Sequence, residues 1–264
     1  MNGGAGRIGL WALRIWAWCA FFFLVTPMLI VVPLSFGAGN YIEFPPSGFS
    51  LRWYERFFAD AAWLEAAWLS IRVAAAATAA SLVLGTLLSM AIVREKLPGG
   101  AWLEKAVTAP MIVPVVVYSV AVYYLFAGWR FTGNAVAIAL AHTVLALPFV
   151  VILMSAGLRE MDPAQEMAAE GLGAGRWTRM RRIVFPQIAP SLFSAGLLAF
   201  VTSFDDLVVA LFLSGFQPTL PQKMYENIKI DIDPTISAVS VLQIAVVIVF
   251  GVIAILWNEK RAVR

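Results

Sequence analysis

The sequence is short of the residues that do chemistry in water-soluble proteins. It holds one cysteine, Cys19, and one histidine, His142, among 264 residues. A single cysteine excludes an intrachain disulfide and a cysteine-rich metal site. A single histidine supplies neither a metal centre nor a catalytic triad by itself, and its expected role is a buried hydrogen bond within a span. Charged residues make up only 13% of the chain, about half the share usual in soluble domains. No G-x-x-x-x-G-K-[ST] run occurs, and Gly171, Gly173 and Gly175 lack the lysine that a phosphate loop needs. The chain itself is therefore not expected to hydrolyse ATP. The net charge of +3 comes without a basic stripe interleaved with exposed aromatics, so nothing points to nucleic acid.

What the chain has instead is apolar residues, 61% of the total, gathered into six blocks. They cover residues 15–36, 70–93, 107–127, 134–158, 190–214 and 235–257. Each is about the length that crosses a hydrocarbon core of about 30 Å as a helix. The first block follows Arg7 and Arg14 as a signal peptide would, but it is longer than a typical signal core and no A-x-A-like site follows. It is expected to remain as a first span. The fold class expected is an all-α integral membrane bundle of six transmembrane helices, one domain over residues 1–264.

Basic residues are retained in the cytoplasm, and an even number of spans puts both termini on one side. With that side cytoplasmic, the inner segments hold Arg7, Arg14, Arg94, Lys96, Lys105, Arg159, Arg176, Arg179, Arg181, Arg182, Lys260, Arg261 and Arg264. The outer ones hold only Arg52, Arg56, Arg72, Arg130, Lys223 and Lys229. The bias favours both termini inside. In the outer segment 37–69, Leu51, Tyr54, Phe57 and Phe58 share a helical face behind Ser50, a plausible N-cap. A short helix lying on the membrane surface is expected there. The outer segment 216–234 reads as a loop with a short helix around residues 222–228.

The longest cytoplasmic segment, about 159–187, is the most informative. Asp162, Pro163 and Gln165 form a helix start: N-cap, N1 proline and a capping-box partner. The helix that follows presents Ala164, Met167, Ala168 and Leu172 along one side. Gly171, Gly173 and Gly175 permit a sharp turn. A second helix sets Trp177, Met180 and Val184 against Arg176, Arg179 and Arg182, and Pro186 is expected to end it. Two readings fit these residues: a short helix whose small, partly apolar surface docks in a groove of a partner, or an amphipathic loop whose arginines meet lipid headgroups.

The run Ala168-Ala169-x-x-Leu172-Gly173-Ala174, followed by Pro186, resembles the cytoplasmic coupling loop of permeases of type I ABC importers. There too the loop joins the antepenultimate and penultimate spans, here the fourth and fifth. Met167 stands where that family has glutamate; Glu166 and Glu170 flank it. Residues 44–54, 141–149, Ser203-Phe204-Asp205-Asp206, Thr219-Leu220-Pro221 and 233–238 resemble the shorter, second permease of spermidine/putrescine-type importers. The resemblance implies ATPase docking by Glu166, Met167, Ala168, Ala169, Glu170, Leu172, Gly173 and Ala174. It implies as partners a second homologous permease, an ATP-binding cassette ATPase dimer and an extracytoplasmic solute-binding protein. ATP and Mg are then held by the ATPase, and this chain needs no cofactor. The place implied is the bacterial cytoplasmic (inner) membrane, and the solute a polyamine or related cationic amine.

Asp205 and Asp206 lie within the fifth block, where an insertion cost of about 3 kcal/mol attaches to a carboxylate. With Thr202 and Ser203 they form either a cation-attracting patch on the solute path or a structural pair within the bundle. On a continuous helix the two aspartates point about 100° apart. Pro110, Pro114 and Pro148 are expected to kink their spans. An ion-coupled secondary transporter is the main rival reading, but it calls for internal repeats, and none is visible. A membrane-embedded enzyme would need a nucleophile, base or metal cluster that these residues do not supply.

Overall fold

The computed structural model describes residues 3–95, 97–230 and 232–262. Lys96 and Arg264, and the side chains of Arg7, Lys260 and Arg261, all counted above for orientation, lie outside what is described. Among the described residues the chain is helical, apart from one isolated antiparallel bridge between Gly37 and Phe49. Five helices are long and apolar enough to cross a membrane: Leu10–Ser35, Ala61–Val93, Ala135–Glu160, Arg176–Phe204 and Thr235–Ile253. A sixth crossing is made if the bent pair Gly100–Met111 and Val115–Gly128 counts as one span. The chain divides into two compact units, Met1–Ala61 with Glu226–Val246, and Ala62–Tyr225 with Val247–Arg264.

The first unit contains α1 (Gly3–Ser35) and α2 (Arg52–Ala59). The link between them folds back on itself: Ala38 N–H donates to Gly48 O, and Ser50 N–H to Phe36 O. The Trp53 indole donates to Gly37 O at 2.9 Å, and Ser35 shares a hydrogen bond with the Tyr54 hydroxyl at 2.7 Å. Two details differ from expectation. Leu51, not Ser50, is the N-cap, although Ser50 Oγ still accepts from Arg52 N–H. The buried face is Trp53 and Phe57, while Leu51 and Phe58 are exposed. The reason is the indole's N–H, which needs a partner when buried and finds one in the Gly37 carbonyl. Asp233 accepts from both the amide and the hydroxyl of Thr235 and pairs with Arg56 at 3.0 Å.

The second unit is built around α3 (Ala61–Val93), α6 (Ala135–Glu160) and α9 (Phe185–Phe204). Asn134 opens α6 by accepting from Ala137 N–H at 2.9 Å, a side-chain cap for an otherwise orphaned donor. The core between α6 and α9 holds Val150, Met154, Leu158, Val184, Ile188, Ala195 and Ala199. Gly157 is required there: a Cβ on it would lie 2.2 Å from Ser191 Oγ. Small residues at such crossings let backbones approach, which replaces the hydrophobic drive that lipid does not provide.

One expectation about continuity is sharpened and two are corrected. The third apolar block, expected to kink at Pro110 and Pro114, bends sharply: α4 (Gly100–Thr108) and a 3-10 turn (Ala109–Met111) meet α5 (Val115–Gly128) at 101°. Pro114 stands at the N-cap of α5, where proline's missing N–H costs nothing. The fifth block is also interrupted. α9 stops at Phe204, Asp205 to Leu207 are non-helical, and α10 (Val208–Leu213) follows. Pro186 does not end a helix; α8 (Arg176–Arg179) passes through a π turn (Met180–Val184) into α9. The wider turn precedes the residue that cannot donate, and absorbs the mismatch that proline creates in an α ladder. Two smaller helices complete the list, α7 (Pro163–Gly171) and α11 (Leu220–Ile230), the latter longer than its sequence suggested; α12 (Thr235–Ala262) is the last.

Candidate functional site

The segment after α6 forms the helix its sequence announces. Asp162 caps α7, its carboxylate accepting from Ala164 N–H at 2.9 Å, with Pro163 in the first turn. α7 ends as Gly173 turns left-handed at φ +80°, and Gly173 N–H and Ala174 N–H donate to Glu170 O and Ala169 O. This is the glycine-terminated helix end that satisfies otherwise orphaned carbonyls. Of the three glycines expected to share the turn, only Gly173 has positive φ; Gly171 is helical and Gly175 is extended at φ −66°.

The side chains of this segment fall into two sets. Met167 is 64% and Leu172 89% exposed, and Ala164, Ala168 and Gly173 are exposed beside them. Trp177, expected on one face with Met180 and Val184, is also exposed at 73%, while Val184 is buried. The other set makes contacts within the chain, with Glu166 half-buried and Gln165 and Glu170 exposed. Glu166 pairs with Arg94 just past the end of α3, and Glu170 pairs with Arg179 of α8. Gln165 Oε1 accepts from Gln187 of α9 at 2.8 Å. Ala169 and Ala174 are half-buried. Nearby, Arg159 at the end of α6 meets Glu104 of α4 at 3.0 Å. The structure thus brings the docking candidates onto one short element but splits them: Met167, Ala168, Leu172 and Gly173 face out, while Glu166 is committed inward.

The second candidate region is the interruption between α9 and α10. Asp205 and Asp206 are not successive residues of one helix, so the 100° argument does not govern them. Asp206 Oδ1 accepts from Val209 N–H at 2.8 Å, capping α10. The same oxygen lies 3.3 Å from His142 Nε2. His142, 1% exposed, shares a 2.7 Å hydrogen bond between Nδ1 and Ser203 Oγ. Nε2 has no aligned hydrogen bond of its own. Tyr118 of α5 donates to Ala141 O, one residue before His142, at 2.8 Å. Asp206, Ser203 and His142 therefore form one polar cluster joining α6, α9 and α10. Asp205 is different: it is exposed, and no hydrogen bond or ion pair of its side chain occurs among the described residues. Thr202 is half-buried and does not join the cluster. One carboxylate is spent on holding the break; the other is free.

Sequence reasoning missed Arg94, Arg179 and Gln187 as partners of α7, and His142 and Tyr118 as neighbours of the aspartates. His142 and Ser203 are 61 positions apart, Arg94 and Glu166 72. No local spacing signals such contacts. No group of three or more metal-ligating side chains occurs among the described residues.

Residues 81–262 match the family described as binding-protein-dependent transport system inner membrane component. The chain is 34% identical over 257 residues to the putrescine transport system permease protein PotI of Escherichia coli (strain K12), covering 92% of this chain and 90% of that one. It is 29% identical over 240 residues to the spermidine/putrescine transport system permease protein PotC of Haemophilus influenzae, covering 90% and 93%. In structure it resembles a bacterial ABC transporter involved in import of the acidic polysaccharide alginate, with a TM-score of 0.73 at 15% identity, covering 96% and 98%.

Proposed function

The chain belongs to the family of binding-protein-dependent transport system inner membrane components, and from that premise we propose that it forms half of the translocation pathway of a polyamine importer. As a member it is a membrane-spanning permease component of an ABC importer, resident in the inner membrane. The solute is the further step. The observation that carries it is the 34% identity to PotI over nearly the full length of both chains. Asp205 supports it: an exposed, unpaired carboxylate at a helix break attracts a cation, and nearby C-terminal carbonyls of α9 add partial negative charge. The alginate transporter shares the fold but not the solute chemistry, so the argument rests on sequence relatives and on Asp205.

The other half of the pathway is a second, homologous permease. Two ATPase subunits, which hold ATP and Mg, sit on the cytoplasmic side, and a solute-binding protein docks outside. Both termini and the segment 163–174 face the cytoplasm. The exposed face of Ala164, Met167, Ala168 and Leu172 docks in a groove of one ATPase subunit. Because Met167 replaces the family's glutamate and Glu166 points inward to Arg94, this contact is mainly apolar. Closure of the ATPase pair favours one arrangement of the helices, and hydrolysis releases it. The bundle contributes two states that its partners bind unequally.

The test is reconstitution of this chain with its partner permease, ATPase and binding protein in proteoliposomes. Labelled putrescine or spermidine is expected to accumulate only with ATP and binding protein together. Accumulation driven by a proton or sodium gradient without ATP would overturn the importer mechanism. ATP-driven uptake of a different solute class, with polyamines neither transported nor competing, would overturn the polyamine assignment alone.

A further inference from the structure

The docking helix is held by more than its two chain connections. Its covalent neighbours are α6, through Met161 and Asp162, and α8, through the Gly173 turn and Ala174. The α8 side then runs into the π turn at Met180–Val184. Neither neighbour is α3. Yet Glu166 of α7 reaches Arg94, immediately beyond the last turn of α3, at 2.5 Å. The two residues are 72 positions apart. The side chains are only 19% and 22% exposed, so water and salt screen their attraction less than at the surface. Arg94 is itself anchored, its N–H donating to Met90 O. From there α3 runs back along α6, where Ser89 Oγ donates to Val151 O.

Two adjacent positions of α7 therefore do different work. Met167 faces out at 64% exposure; Glu166, turned about 100° away on the same helix, faces α3. We propose that the Arg94–Glu166 pair is a positioning element that ties the docking helix to the second span, so that a push on α7 moves α3 together with α6 and α9. Without it, α7 passes force through its two chain connections, one of which is a glycine turn, and through the Gln165–Gln187 and Glu170–Arg179 contacts, and none of these reaches α3. The pair rests on the reading of residues 163–174 as the ATPase contact, but it concerns transmission and not recruitment.

The experiment uses the full transporter in proteoliposomes and three readouts: ATPase co-purification, solute uptake, and ATP hydrolysed per solute moved. Arg94→Ala and Glu166→Ala are each expected to lower uptake about tenfold, within the range of an ordinary coupling free energy, and to raise ATP consumed per solute. ATPase co-purification stays normal. The charge swap Arg94→Glu with Glu166→Arg restores most of the lost coupling, which a general loss of packing would not allow. Glu166→Gln, milder for folding, is expected to show the same uncoupling in weaker form. Normal uptake and normal ATP per solute in a folded Arg94→Ala or Glu166→Gln protein would overturn the inference and leave docking intact. Loss of ATPase co-purification in those variants would also overturn it, since the pair would then serve recruitment. Failure of the docking reading shows elsewhere, as normal recruitment by Ala168→Arg.

Discussion

Two departures from continuous helix lie on either side of α9, and they are enforced by opposite means. At residues 172–186 the backbone is shaped by residues with unusual backbones: Gly173 at φ +80°, and a π turn just before Pro186. Apart from the Arg179–Glu170 pair, side chains here have little to hold in place, and Leu172 and Trp177 face out, as Met167 of α7 does. At residues 205–207 there is neither glycine nor proline. There the side chains hold the backbone: Asp206 caps α10, and His142 and Ser203 close around it. The first region leaves an apolar face exposed. The second spends its own polar groups internally and leaves one carboxylate, Asp205, over.

The contrast breaks most visibly if a charge is placed on the outward face. Ala168→Arg puts a cation where a close apolar contact is proposed. ATPase recruitment and uptake are both expected to fall about a hundredfold, as at an interface hot spot, with membrane abundance unchanged in a quantitative blot. Normal recruitment would end the docking reading.

Next in size is the split between the aspartates. Asp205→Asn removes the free charge, and polyamine uptake at matched protein level is expected to slow about tenfold, a modest fraction of what an unscreened charge pair is worth at close range. Asp206→Asn keeps an oxygen for Val209 N–H, and uptake is expected to stay within about threefold of wild type, given the small cost of exchanging one capping acceptor for another. The reverse order of effects would exchange their roles.

Smaller still is Gly173→Ala. A Cβ there meets nothing within 4 Å, so the cost is conformational, about 1–2 kcal/mol for a non-glycine residue in left-handed helical geometry. ATPase affinity, read by titration, is expected to drop severalfold while uptake at saturating ATPase recovers. The smallest effect belongs to Ser203→Ala. It removes the hydrogen bond to His142 and is expected to cost about 1 kcal/mol, seen as a lower melting temperature in detergent with ATPase recruitment untouched.

The same contrast explains what could be read in the sequence. The six apolar blocks are legible because a span needs about 20 apolar residues whatever it packs against. The start of α7 is legible because Asp162 and Pro163 act on backbone groups within a turn of themselves. Pro114 announced a kink but not its size: the 101° bend depends on what α4 and α5 pack against. Pro186 misled, since a π turn five residues long is a second way to accommodate a proline. The break at Asp205 was illegible, because what enforces it is His142, 61 residues from Ser203. The family motif singled out residues 163–174 as the docking candidate, but only the structure separates Met167, facing out, from Glu166, facing Arg94.

The most direct test is cross-linking from Met167. Cys19, the one native cysteine and an exposed one, is replaced by alanine, and Met167→Cys is assembled with an ATPase subunit carrying a single cysteine in its candidate groove. A short thiol cross-linker is then added to membranes. A permease–ATPase adduct is expected from Met167→Cys, changing in yield between nucleotide-free and ATP-bound states, and none from Phe216→Cys. An adduct from Phe216→Cys, with none from Met167→Cys in a complex that still transports, would contradict the assignment of residues 163–174 as the coupling contact.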